Sequence, residues 1–197
     1  MYNMLNMKKT AIRTIFLLIL TFVSVGCVGG SMKYVNPNAN FSYIKNVAVL
    51  PFNNFSADKH AGEKVRATLA IDLMSRGDFE VMEQGEVSSV LTMVFRSAGL
   101  REGDVAAVDK ETLRLIGERL GVQAVILGTV YEYSATVNSA LVSISVRMID
   151  TSSGIVLWTA KSDYSGTSIV RKIFGIEQQD KSILTRKAVR QALNTLF

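Results

Sequence analysis

From Val122 to Tyr164 the chain runs through three apolar segments whose patterning commits it to a β-sheet. In Ala140–Asp150, Val142, Ile144, Val146 and Met148 alternate with Ser143, Ser145 and Arg147. That is the period-two pattern of a strand with one buried face. Thr151-Ser152-Ser153-Gly154 follows, four turn formers ending in the residue that accepts a positive φ. Ile155, Val156, Leu157 and Trp158 then bring the chain back, which predicts an antiparallel hairpin. Upstream, Ala124-Val125-Ile126-Leu127 is apolar on both sides of the alternation, as in a strand covered on both faces. No reactive group stands out in this core.

The remaining segments supply helices to cover such a sheet. Asn46–Phe52 reads as a short buried strand ended by Pro51, and Asn53 to His60 as a polar loop. Ala61, Val65, Leu69 and Leu73 share one helical face, closed by Gly77. After a brief strand at Phe79–Met82, a second helix carries Val87, Val90, Leu91, Val94 and Phe95 on one side. Gly99 to Val108 is a loop. Asp109 caps a third helix burying Leu113, Ile116 and Leu120 before Gly121, and Asp180 caps a last one with Leu184, Ala188, Ala192, Leu193 and Leu196 inward. Residues 163–180 are irregular. The order β-α-β-α-α-β-β-β-α predicts a single α/β sandwich with a mixed sheet over 44–197, its first strands joined by crossovers and its last three forming a meander. At 197 residues and 48% hydrophobic content, one well-buried domain is the natural outcome.

The amino terminus has a different character. Lys8, Lys9 and Arg13 precede an apolar run from Ile15 to Val25, with Gly26 and Cys27 at its end. That reads as a secretory signal over 1–26, too short to span a bilayer; Met1 and Met7 both fit as the start. Residues 1–26 hold three of the 22 basic residues and none of the 17 acidic ones, so the remainder carries 19 against 17, a formal charge of +2. A nearly neutral domain gives no electrostatic case for nucleic-acid binding. Residues 27–43, rich in Gly, Asn and Ser, read as a flexible tether.

Catalytic and metal chemistry find little to use. His60 is the sole histidine and Cys27 the sole cysteine, so a thiol–metal or multi-histidine site has too few ligands. Ser152 and Ser153 are explained by their turn, and no nucleophile-elbow, P-loop or dinucleotide fingerprint is present. The expectation is a protein with no enzymatic activity, metal or diffusible cofactor. Arg171, Lys172, Lys181, Arg186, Lys187 and Arg190 make the carboxyl-terminal part basic. They form either a solvated face or a contact for anionic headgroups or an acidic neighbour. Phe174 lies in the irregular segment, where an apolar group marks a partner surface. Phe52, Tyr131, Tyr133, Trp158 and Tyr164 fall on strands and read as core or edge packing.

Two resemblances add to this reading. Val23-Ser24-Val25-Gly26-Cys27 resembles a bacterial lipobox, departing from it at Ser24, where Leu is usual. It implies cleavage before Cys27, diacylglycerol on its sulfur and acylation of the new amino terminus. Val28 in place of Asp implies the outer membrane, with the domain facing the periplasm. Further on, NVAVLPFNN (46–54), SRGDFEVMEQGEVSSVL (75–91), LGVQAVILGTVYEY (120–133) and VSISVRMIDTSSGIVLWTAKSDYSG (142–166) together resemble CsgG-type lipoproteins of curli secretion and their LpoB-type relatives, which activate peptidoglycan synthases. The chain lacks room for a clean membrane-spanning hairpin. The resemblance implies a lipid-anchored, non-catalytic factor for assembly or export that self-associates or binds an envelope protein, with peptidoglycan-synthase activation as the alternative.

Overall fold

The computed structural model describes residues 31–99, 108–136, 140–165 and 180–196. Seven strands form one mixed sheet: β1 Ser31–Val35, β2 Asn46–Val49, β3 Asn53–Asn54, β4 Glu80–Val81, β5 Ala124–Ala135, β6 Ala140–Asp150 and β7 Val156–Ser165. Four helices cover it: α1 Ala61–Arg76, α2 Gln84–Ala98, α3 Lys110–Leu120 and α4 Lys181–Leu193. The strands lie in the order β1-β7-β6-β5-β2-β4, with β3 also pairing β5. β2 runs parallel to β4 and β5, whereas β5-β6-β7 is an antiparallel meander. This is the expected mixed α/β architecture with two strands added.

The helix periodicities become two separate cores. On one face, Val65, Leu69 and Leu73 of α1 and Leu184, Ala188, Ala192 and Leu193 of α4 pack on Val142, Ile144, Val146 and Met148 of β6. Trp158 is fully buried there, and its indole Nε1–H donates to Thr195 Oγ1 at 3.0 Å, satisfying the one polar atom that burial strands. On the other face, Val87, Leu91, Val94 and Phe95 of α2 join Leu113, Ile116 and Leu120 of α3 over Ala48, Leu50, Val125, Leu127 and Ile149. Helix ends follow the sequence signals. Asp109 and Asp180 accept from the backbone N–H of Thr112 and Ser182, and Glu83 accepts from Gly85 and Glu86.

Three local features differ from the sequence reading. β2 stops at Val49, short of Phe52, and the expected polar loop begins with a strand, because Asn53 and Asn54 pair with Thr129 and Val130. Part of the expected tether is a strand as well: Ser31–Val35 pairs with Trp158–Ser162 and forms a sheet edge, its five side chains all exposed. The other edge is short. β4 holds only two residues, the Met82 N–H takes the Val47 carbonyl, and the carbonyl of Val49 is met by Arg66 Nε at 2.9 Å. Burial depresses the affinity of that guanidinium for its proton, opposed by the charges of Glu83 and Glu63.

β5 crosses between both cores, and at Gly128 the packing leaves no room. A Cβ there would lie 2.1 Å from the Phe52 ring. Gly128→Ala should destabilise the domain by about 1–3 kcal/mol through overpacking. Adding Phe52→Leu should recover part of the loss, read as urea midpoints of the single and double variants.

Candidate functional site

The two faces of the sheet are unequally covered. Among the described residues, α2 and α3 pack on β2, the first half of β5, the end of β6 and the start of β7. Beyond Leu127 the same face turns polar. Thr129 stands opposite Ser145, Arg147 opposite Thr159, and Ser145 opposite Lys161. These side chains floor an open groove of about 310 Å³.

One wall of the groove is aromatic, and backbone geometry puts it there. The β5-β6 register slips between Val130 and Glu132, a β-bulge that inserts Tyr131 as an extra residue. Tyr131 is 47% exposed. Next to it, the Phe55 N–H donates to the Val130 carbonyl at 2.9 Å, continuing the β3 pairing past its last residue. Asn54 holds the following turn, its Oδ1 accepting from Ser56 and its Nδ2 donating to the Asp58 carbonyl. Phe55 is thereby left 73% exposed, with its ring 6.4 Å from that of Tyr131 at an interplanar angle of 24°. Ser145 Oγ donates to the Tyr131 hydroxyl at 3.3 Å, and Lys161 Nζ lies 5.8 Å from the ring centroid. Lys161 also pairs with Asp163 at 3.5 Å, and Asp163 accepts from Ser143. A rigid aromatic pair rimmed by hydroxyls and a charge pair is chemistry for contact, with an apolar centre and a polar border.

The sequence-predicted site residues fare unevenly. Cys27, Arg171, Lys172 and Phe174 lie outside the described residues. Arg190 stays exposed but is paired, its Nε 3.2 Å from Asp72 Oδ2 across α4 and α1. Lys187 lies 5.5 Å from the Tyr164 ring, and Arg186 is exposed. His60 sits exposed at the start of α1, 3.6 Å from Glu63. Phe52, Tyr133 and Trp158 are buried as expected, but Tyr131 is not. Phe55 was hidden from sequence reasoning by its polar loop, although a lone aromatic among Asn, Ser and Asp was itself a signal.

Two further clusters hold the domain together. Asp58 accepts from Lys64 at 3.0 Å and lies 3.8 Å from Lys181, and both ammonium groups approach the Tyr133 ring, at 5.6 and 5.4 Å. The hydrogen bond from Lys64, then that from the His60 N–H, holds the Asp58 carboxyl below its usual range. Asp150 organises the β6-β7 turn, accepting from Tyr43, Ser152 and Ser153. Burial alone would raise its pKa, but the hydrogen bonds from Tyr43, Ser153 and Ser152 outweigh that and lower it to about 2. Burial, then the bond to Asp150, pushes the Tyr43 phenol up to about 12. Among the described residues, no group of three or more His, Cys, Asp or Glu could hold a metal ion. Nor is any helix there long and apolar enough to cross a membrane.

Fold and face together define a three-layer α/β domain with an aromatic sheet face that the described helices leave uncovered. The chain belongs to the family whose model is described as "Putative lipoprotein GNA1162-like", which matches residues 38–196. The CsgG-type assignment expected from the sequence is not supported by this match. No curated protein matches the chain. Among solved structures it is similar to lipoprotein GNA1162 from Neisseria meningitidis, at 24% identity and a TM-score of 0.53, covering 77% of this chain and 97% of that one. It is also similar to a PelC dodecamer from Paraburkholderia phytofirmans, at 17% identity and a TM-score of 0.58, covering 86% and 98%. The LpoB C-terminal domain from Escherichia coli overlaps less, at 16% identity and a TM-score of 0.46, covering 64% and 87%. At these identities the likeness to PelC and GNA1162 is one of fold.

The Asp150 cluster makes a pH prediction. A carboxyl depressed on folding stabilises the native state fully above its unfolded pKa, and the contribution disappears as pH falls through the folded value. The stability difference between the wild type and Asp150→Asn should therefore hold from neutral pH to about 5 and narrow, by on the order of 2 kcal/mol, between about pH 4 and pH 2. Urea midpoints at each pH check it.

Proposed function

We propose that the protein is a non-catalytic, lipid-anchored envelope lipoprotein that works by protein contact, assembling with copies of itself through the uncovered half of its sheet. The observation that carries this reading is the stacked Phe55–Tyr131 pair, exposed beside a β-bulge and a hydrogen-bonded turn. Exposed aromatics fixed by their own backbone lose little entropy on contact and are the residue type on which interfaces concentrate their energy. Membership of a lipoprotein family and the lipobox-like segment ending at Cys27 support the anchor. The dodecameric state of PelC, a protein of similar fold, supports self-association as the form of contact. Such a protein serves as an assembly or export factor at the periplasmic side of the outer membrane. Activation of a peptidoglycan synthase, the alternative, requires reach away from the bilayer, and only three residues separate Cys27 from Ser31.

Replacing both Phe55 and Tyr131 by Ser should leave the circular dichroism spectrum intact and weaken self-association at least about tenfold. Sedimentation velocity over a concentration series measures it. An unchanged assembly in the folded double variant would remove this face from the account.

A further inference from the structure

The short spacing from Cys27 to β1 also settles which flank of the domain faces the bilayer. A fully extended chain covers about 3.3–3.6 Å per residue, so acyl chains on Cys27 would keep Ser31 within about 14 Å of the membrane surface. The sheet register fixes what lies beside Ser31. It pairs with Ser162, and β7 ends three residues later at Ser165. The start of α4 lies over this same end: Lys187 sits at Tyr164, Thr185 Oγ1 lies 3.2 Å from the Tyr133 hydroxyl near the end of β5, and Lys181 reaches Asp58.

The outward surface there is cationic with an apolar centre. Ile183 is 50% exposed on α4, and Arg186 and Lys187 are exposed on the turn that follows it. Lys33 is exposed on β1, opposite Ala160. Nearby carboxylates are already engaged: Asp180 caps α4, Asp58 holds Lys64 and Lys181, and Asp163 holds Ser143 and Lys161. Among the described residues, none of Lys33, Arg186 and Lys187 forms an ion pair.

We propose that the flank formed by the beginning of β1 and the first two turns of α4 rests on the bilayer, with Lys33, Arg186 and Lys187 against anionic phospholipid headgroups and Ile183 in the interfacial layer. The proposal rests on the reading of Cys27 as lipid-modified. Acyl chains and a basic surface are complementary signals. The chains supply the affinity, and the cations fix the orientation of the domain by attraction that acts only within a Debye length of the surface. The uncovered sheet face is then held at a constant angle to the membrane, where neighbouring copies can meet it.

The acylated wild type has no second cysteine, so a single introduced thiol takes a label uniquely. An environment-sensitive dye on Ile183→Cys should shift to the blue in vesicles of phosphatidylcholine with phosphatidylglycerol and be quenched by nitroxide-bearing lipid. The same dye on Met93→Cys, exposed on α2 in the opposite helical layer, should stay solvent-like. Raised salt, phosphatidylcholine alone, or the combined Lys33→Glu, Arg186→Glu and Lys187→Glu variant should abolish the shift while the protein remains vesicle-bound. Intact mass reports acylation of Cys27 separately. An acylated protein whose two labels are equally solvent-like overturns the proposed orientation. An unmodified Cys27 overturns the anchor itself and the orientation with it.

Discussion

The structure depends on burying β5 on both faces at once. Ala124, Val125, Ile126 and Leu127 alternate between the two cores, none more than 4% exposed. Their backbone is paired on both sides as well, with β2 along one edge and β6 along the other. A strand so placed has no polar outlet, so each of its N–H and C=O groups must find a partner in the sheet. That requirement brings together a parallel crossover half and an antiparallel meander half, which only this strand joins. Each helix layer then has a defined floor, and its position along β5 decides where cover ends.

Where cover ends, the face becomes available. The switch from Val125 and Leu127 to Thr129 and the bulged Tyr131 occurs within one strand, so core and recognition surface are parts of one rigid element. The aromatic pair therefore inherits the stability of the core instead of depending on a mobile loop. Anchoring follows a similar economy. With the proposed anchor at Cys27, entry into the sheet at β1 would leave the domain little freedom to swing, and its orientation would become a property of the fold.

The parts of this structure legible in the sequence were those written as periodicity or as a cap. The alternation of Val142 to Met148, the α1 face of Ala61 to Leu73, and the caps at Asp109 and Asp180 each encode a local requirement, and each appears as read. β1 and β3 were not legible. Ser31–Val35 is stabilised by pairing with residues more than 120 positions away, and its side chains bury nothing, so no apolar pattern records it. Asn53 and Asn54 are turn formers held as a strand by the neighbouring β5. The recognition face was half legible. Polar alternation in β6 and β7 announced a polar side, and Tyr131 shares the face of Leu127 and Thr129 by the same period of two, but the bulge that then returns Tyr133 to the opposite core is a mismatch between two strands, which neither strand carries alone. Arg190 looked like a free cation because its partner Asp72 lies on another helix, 118 residues earlier.

The two rims of the sheet differ in a way that constrains any larger structure built from this domain. At the β4 rim the strand is two residues long, and beyond it a guanidinium takes the next carbonyl of β2. At the β1 rim the strand is five residues long, and no other described strand pairs with its outer side. A sheet that offers one long rim pairs there with a two-fold-related copy of itself, so backbone-to-backbone stacking through that rim yields a closed couple. On the proposed anchor, a protein held on a two-dimensional surface would thereby resist the fibrous polymerisation that two long rims would invite, and larger rings would be made through side chains on its faces.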